Sequence, residues 1–250
     1  MNWIFVVILE GENKLKQNSM MKTIFNLVLI AVCVTFFSCQ KDDVSTGNSS
    51  ITSDGVISGK IVNYVANSLD SVKARNTNYV GSGLVLSTGE FTIHLTIPEL
   101  SKIGSLSGVA ISDTTVMGGA VAIRAYLNNS IQGDLQRCNY ANDSLNKAGL
   151  SYSSFIYTDK PLTLKGTHIE TYTGGGYTEN STNFYDVTFK KGWNEVVFKI
   201  TAYSSTTNSL TESVSMTNII PSDLQWHFIK LYYSVRGELP VREKTAKIFR

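Results

Sequence analysis

The chain holds three cysteines, three histidines and 20 acidic residues as candidates for bond-making chemistry, and most of them are scattered. His94, His168 and His227 fall on three separate β-prone segments, with no spacing that ties them to one metal ion. There is no H-E-x-x-H, no paired-cysteine zinc spacing, no G-x-G-x-x-G and no G-x-S-x-G. Gly104-Ser105-Leu106-Ser107-Gly108 puts Leu106 where a nucleophile belongs. Gly174-Gly175-Gly176 is not followed by Lys-Ser/Thr or by a helical pattern, so it does not read as a phosphate cradle. Apart from Asp42-Asp43 the carboxylates beyond residue 39 stand singly, which leaves open a glycosidase pair brought together by folding. No metal, no cofactor and no catalytic residue is expected. Cys138 has no base beside it and reads as a small buried apolar residue. Cys39 differs, because the chain before it is organised.

Lys22 gives a positive start, Ile24–Phe37 is an apolar run broken by Asn26 and Thr35, and Ser38 is a small residue immediately before Cys39. This is the layout of a secretory signal peptide. A spanning helix needs ~20 apolar residues, whereas this run ends at Ser38 and meets Gln40, Lys41, Asp42 and Asp43. The Phe36-Phe37-Ser38-Cys39 ending resembles a bacterial lipobox in the looser form found in Bacteroidota lipoproteins. That resemblance implies a Cys39 thiol joined to diacylglycerol, cleavage before it and acylation of the new amino group. Two or more chains hold a protein stably to a bilayer, so the membrane is the expected partner through Cys39. Gln40-Lys41-Asp42-Asp43 is similar to the acidic export signal of such lipoproteins, which implies the outer face of the outer membrane. A second apolar patch, Trp3–Leu9, precedes the charged start. Translation is therefore expected to begin at Met20 or Met21, with residues 1–19 set aside as a misassigned start.

The resulting plan is a signal peptide over 20–38, a lipidated tether over 39–54, one domain over 55–235 and a basic tail over 236–250. A formal net charge of +2 gives no broad electrostatic pull toward nucleic acid, and no nucleic-acid partner is expected. Ser, Thr, Asn, Gly and Tyr abound, and no long helical periodicity is present, so strands should dominate. Phe91, Ile93, Leu95 and Ile97 alternate with polar residues, as do Val121, Ile123 and Ala125, then Tyr185, Val187 and Phe189, and finally Val196, Phe198 and Ile200. Asn128-Asn129 predicts a tight turn and Gly59 a bulge or a close approach. Thr173–Thr182 reads as a flexible loop, and Lys190-Lys191-Gly192 as a hairpin turn. The expected fold is an all-β antiparallel β-sandwich of roughly ten strands. Gly55–Ile97, with its Gly-containing turn before Phe-x-Ile-x-Leu, resembles the opening of prealbumin-like or carboxypeptidase-regulatory-like β-sandwiches.

Two functional readings follow. In the first, the domain is a non-catalytic binding module for a glycan or a protein partner, with Tyr172, Tyr177 and Trp193 gathered at one end as rings for a sugar. In the second, it is a surface lipoprotein hydrolase acting on polysaccharide or protein. Asp70-Ser71-Val72, Asp113-Thr114-Thr115 and Asp143-Ser144-Leu145 resemble the acceptor triplet of Bacteroidota O-glycosylation, which implies Ser71, Thr114 and Ser144 as modified residues. As a whole the chain resembles β-rich surface lipoproteins of Bacteroidota.

Overall fold

The computed structural model describes residues 50–139, 147–230 and Ile248. The leader, Cys39, Gln40–Asp43, Ser144 and the tail other than Ile248 lie outside the described residues. All the described residues fall in one compact unit. Among the described residues the fold is all-β, with fourteen strands and no helix. They are β1 (Val56–Lys60), β2 (Ser71–Arg75), β3 (Tyr79–Leu84), β4 (Glu90–His94), β5 (Ser101–Lys102), β6 (Val109–Ile111) and β7 (Met117–Leu127). After them come β8 (Ser130–Cys138), β9 (Ser151–Thr158), β10 (Leu162–Gly174), β11 (Tyr177–Phe189), β12 (Gly192–Ser205), β13 (Ser209–Thr217) and β14 (Gln225–Lys230).

Turn chemistry sets several joins. Asn128 and Asn129 take φ of 50° and 61°, the left-handed pair that a two-residue hairpin needs, and they connect β7 to β8 as expected. Gly175 and Gly176 do the same with φ of 60° and 79° between β10 and β11. Thr173–Thr182 is therefore not a loop. Two thirteen-residue strands stay in register from Leu162↔Phe189 to Gly174↔Tyr177, because the glycines make the turn and the flanking Thr and Tyr residues suit strands.

Strand β7 is the hub of the large sheet. On one side it pairs with β2, which pairs with β3. On the other side its first half, Gly118–Val121, pairs with β9, and its second half, Arg124–Leu127, pairs with β8. From β9 the sheet continues through β12, β13, β11, β10 and β6, while β14 extends it from β8. All pairs between named strands are antiparallel except β11 with β13. The turn at Lys190-Lys191-Gly192 does not make a hairpin of neighbours, since β13 lies between β11 and β12. Asn194 supports this crossover. Its Oδ1 accepts from Lys190 N at 2.8 Å, and its Nδ2 donates to Lys190 O at 2.8 Å and Gly192 O at 2.9 Å. These bonds satisfy backbone groups that a ladder would otherwise hold.

Two cores result. The two-stranded β1–β4 pair covers one face of β2, β7, β8 and β9, burying Ile57, Phe91, Ile93, Val72, Ile123, Leu135, Phe155 and Trp226. The other core gathers Tyr152, Ile156, Leu164, Val187, Phe189, Val196, Phe198, Ile200, Val214 and Met216, with Ile248 among them. Strand β9 serves both, and every residue of it except Tyr157 is buried. That double burial explains why its sequence does not alternate. Trp226 stands edge-on to Phe91 at 5.1 Å and stacks on Phe155 at 5.8 Å. Gly59 passes beneath this indole, where an added Cβ would lie 2.3 Å from its Cδ1 and Nε1 atoms. Gly59 is thus a close-approach glycine. Gly59→Ala is expected to displace Trp226 and lower the unfolding free energy by about 1–3 kcal/mol, read as a lower urea midpoint at unchanged slope.

Candidate functional site

Strands β8 and β9 share a single residue pair, Cys138↔Tyr152, because β7 leaves one for the other along its length. The gap is bridged by side chains. Glu195 on β12, with a side chain 1% exposed, accepts from Arg137 Nη1 on β8 at 2.7 Å and from Ser153 Oγ on β9. Its other oxygen accepts from Ser50 N at 2.9 Å and Ser50 Oγ at 3.2 Å. Gln136 Nε2 adds a bond to Ser153 O at 2.7 Å.

Where the three strands part, a cavity of about 360 Å³ opens. Val121, Ile123, Leu135 and Phe155 line it with carbon, while Asn76, Gln136, Ser153 and Ser154 bring amides and hydroxyls and Arg75 is exposed at its rim. Tyr152 also lines it. The Tyr152 hydroxyl is buried without a hydrogen-bond partner among the described residues, and burial pushes that phenol far above its usual range. Among the described residues, no carboxylate, imidazole or thiol is in the lining.

Beside Arg75 runs a basic and aromatic strip on β2, β3 and β7. Lys73 Nζ lies 4.4 Å from the centre of the Tyr126 ring and 5.6 Å from that of Tyr79, and Arg75 Cζ is 5.9 Å from the latter. The Tyr79 and Tyr126 hydroxyls are 3.1 Å apart. Burial, with Tyr79 next, pushes the Tyr126 phenol up to about 12. The hydrogen bond from Tyr126, then the neighbouring cations, hold Tyr79 below its ordinary value. Arg124 Nε is 3.9 Å from Asp134 Oδ1 and carries no hydrogen bond among the described residues.

A second cavity, of about 240 Å³, is bordered by His168, Glu170, Glu179, Ser181, Asn183 and Tyr185. The register sets Glu170 opposite Ser181 and Glu179 opposite Tyr172, which puts both carboxylates on one face of the β10–β11 hairpin. Burial, and secondarily Glu170, pushes the Tyr185 phenol up to about 12.

The residues singled out in the sequence are distributed as follows. Tyr172 is 63% exposed and sits with Tyr177 on one face of the hairpin tip, its ring folded over Gly174. Trp193 is not brought together with them. It begins β12, half-buried against Tyr157 at 5.6 Å and over Gly55. Tyr177 instead starts β11 beside Ser209, at the far end of β12, so a dozen strand residues at ~3.3 Å each separate it from Trp193. Reading Thr173–Thr182 as a loop hid this, because the long hairpin carries its tip to the opposite end of the sheet. Ser71 lies in β2 and donates to Asp70 Oδ1 at 2.7 Å, and Thr114 is exposed beside Asp113, which accepts from Thr115 N and Oγ1. His94 is exposed on β4, His168 borders the second cavity and His227 is buried on β14. Among the described residues no cluster of three or more metal-ligating side chains is present. The split cavity was missed. Its signal was Ser153-Ser154 between Tyr152 and Phe155 in a strand that is buried on both faces.

Burial holds the His227 imidazole below its ordinary 6.5. An unfolded chain therefore binds the proton more readily, and this contribution to stability is present above about pH 6.5 and lost as pH falls below it. The thermal midpoint is expected to fall between pH 7.5 and 5.5, and less so in His227→Gln, as scanning calorimetry would read. No protein-family model, curated protein or solved structure matches the chain.

Proposed function

We propose that the chain is a surface lipoprotein, anchored through lipid on Cys39 and exported by way of Gln40-Lys41-Asp42-Asp43, whose β-sandwich is a non-catalytic binding module for a glycan. The observation that carries the binding role is the cavity between β7, β8 and β9. A lining that combines apolar carbon with hydroxyl and amide groups matches a sugar ring, whose C–H faces need apolar contact and whose hydroxyls need donors and acceptors. Gln136 Oε1 and the Tyr152 hydroxyl have no protein partner among the described residues, so a ligand there would supply one. Among the described residues, the lining brings amides, hydroxyls and one phenol rather than a carboxylate, imidazole or thiol, which suits hydrogen bonding to a ligand.

A second reading, hydrolysis of polysaccharide or protein, is favoured by one observation. Glu170 and Glu179 border the second cavity from the same hairpin face. One experiment separates the two. Detergent-solubilised full chain is applied to a glycan array, and any glycan bound is then incubated with the protein in solution. The binding reading expects retention without cleavage, and loss of affinity of about tenfold or more in Gln136→Leu and Tyr152→Phe, each hydrogen bond in such a site being worth roughly 1–2 kcal/mol. Tyr152→Phe removes a partnerless buried hydroxyl and should leave the unfolding midpoint equal or higher, which distinguishes lost binding from lost folding. Cleavage that survives these changes and disappears in Glu170→Gln or Glu179→Gln would establish the hydrolase instead.

The anchor has its own test. Cys39→Ser is expected to abolish incorporation of labelled fatty acid and to release the protein from the membrane fraction, and unchanged partition would refute lipid anchoring.

A further inference from the structure

The large sheet ends in strands whose outer edges are treated differently. The outer edge of β3 is capped at Val80 O, which accepts from Thr96 N at 2.7 Å and Thr96 Oγ1 at 3.0 Å. That of β14 is capped at Trp226 O, which accepts from Val62 N at 2.8 Å. Among the described residues, strand β10 is covered only at its start. Strand β6 pairs with Leu164–Gly166, and the last bonds on that edge are Ser112 N to Thr163 O at 3.1 Å and Thr167 N to Gly108 O at 3.1 Å. These bonds show that odd-numbered residues turn their N–H and C=O groups outward along β10. The next odd residues, Ile169, Thr171 and Thr173, continue the strand with no partner strand on that side among the described residues.

We propose that this edge, His168–Gly174, pairs antiparallel with the same edge of a second copy of the chain, with Thr171 on a two-fold axis. The stretch is seven residues long with Thr171 at its centre. A two-fold there sets Thr171 opposite Thr171, Ile169 opposite Thr173, Glu170 opposite Tyr172 and His168 opposite Gly174. No like charges face each other, so the edge is complementary to itself. It also lacks the usual guards against such pairing. The stretch holds no proline, no lysine and no register shift, its one carboxylate is Glu170, which the two-fold sets opposite Tyr172, and it exposes Ile169 at 68%, with Phe184 at 43% on the same outer face. A second copy supplies the three N–H and three C=O groups that Ile169, Thr171 and Thr173 leave facing water, and it closes the edge.

The register gives the test. Across the axis the two Thr171 Cα atoms would lie about 5.5 Å apart, within the span of a disulfide. The two Thr173 residues would be four positions out of register, beyond disulfide reach. Mature lipidated chain, from which Cys33 is removed and in which the Cys39 thiol is blocked on the proposed reading, is expected to form a covalent dimer on mild oxidation when it carries Thr171→Cys, whereas Thr173→Cys and the parent, whose Cys138 is buried, remain monomeric on denaturing gels. Sedimentation of the uncross-linked protein should show a dimer that Thr171→Pro weakens at least tenfold. Proline there removes an N–H that faces away from β11 and leaves the β10–β11 ladder intact. Ile169→Lys, which guards the edge with charge, should weaken it likewise and serves if the proline variant misfolds. The proposal is overturned by a monomeric parent in sedimentation, by cross-linking of Thr173→Cys as readily as Thr171→Cys, or by capture of a different protein through Thr171→Cys in place of the dimer.

Discussion

A single buried carboxylate ties β8 to β9 and β12 where β8 and β9 have almost no ladder of their own. Glu195 takes Arg137 from β8, Ser153 from β9 and Ser50 from the segment ahead of β1, all at a position screened from water. Strands β8 and β9 meet through one residue pair only, so the backbone ladder cannot transmit much stability across that junction. The ion pair and its hydrogen bonds take that part. Removing either partner of such a buried pair leaves an uncompensated charge, at a cost of roughly 3–5 kcal/mol. The cavity exists because of the same divergence. A sheet that opened there without the clamp would expose both cores along β9, whose two faces carry Phe155 on one side and Tyr152 and Ile156 on the other.

Much of the fold was legible in the sequence because its signals are local. The alternation at Phe91, Ile93 and Leu95, and at Val121 and Ile123, reports a face that a strand must bury, and all five are buried. Asn128-Asn129 specifies its own turn. The departures share a cause, which is that strand partnership is not a local property. Lys190-Lys191-Gly192 is followed by an apolar strand as a hairpin would be, yet β13 takes the intervening place and Asn194 satisfies the link. Gly174-Gly175-Gly176 counts as flexible by composition and acts as a fixed turn because two of its glycines take left-handed φ in sequence. The candidate site was legible only in part. Tyr172 and Tyr177 do share a face, but Trp193 is claimed by packing, and the cavity opens where the consecutive strands β7, β8 and β9 change partners, which no local sequence pattern marks.

The cavity and the free edge make different demands on the molecule. The cavity is lined by residues whose backbones are held in ladders and by side chains held through Gln136 and Asn76, so a ligand meets a shape largely fixed in advance. The edge lies on the long β10–β11 hairpin, whose tip is exposed on both faces and is supported by β13 through parallel pairing from Thr178 onward. Occupation of one does not obstruct the other, because Arg75 and Gln136 belong to β2 and β8 while Thr171 belongs to the far side of β10.

The bond from Ser50 to Glu195 also fixes the root of the tether. Eleven peptide steps lie between Cys39 and Ser50, and at no more than ~3.3–3.6 Å per residue they span at most about 40 Å. With the proposed anchor on Cys39, Ser50 is confined to a shallow hemisphere above the bilayer rather than to free solution. Ser50 is bound near the start of β12, whereas the hairpin tip stands beside the far end of that strand. Diffusion in two dimensions, at a fixed range of heights, would bring the exposed edges of neighbouring molecules to the same level.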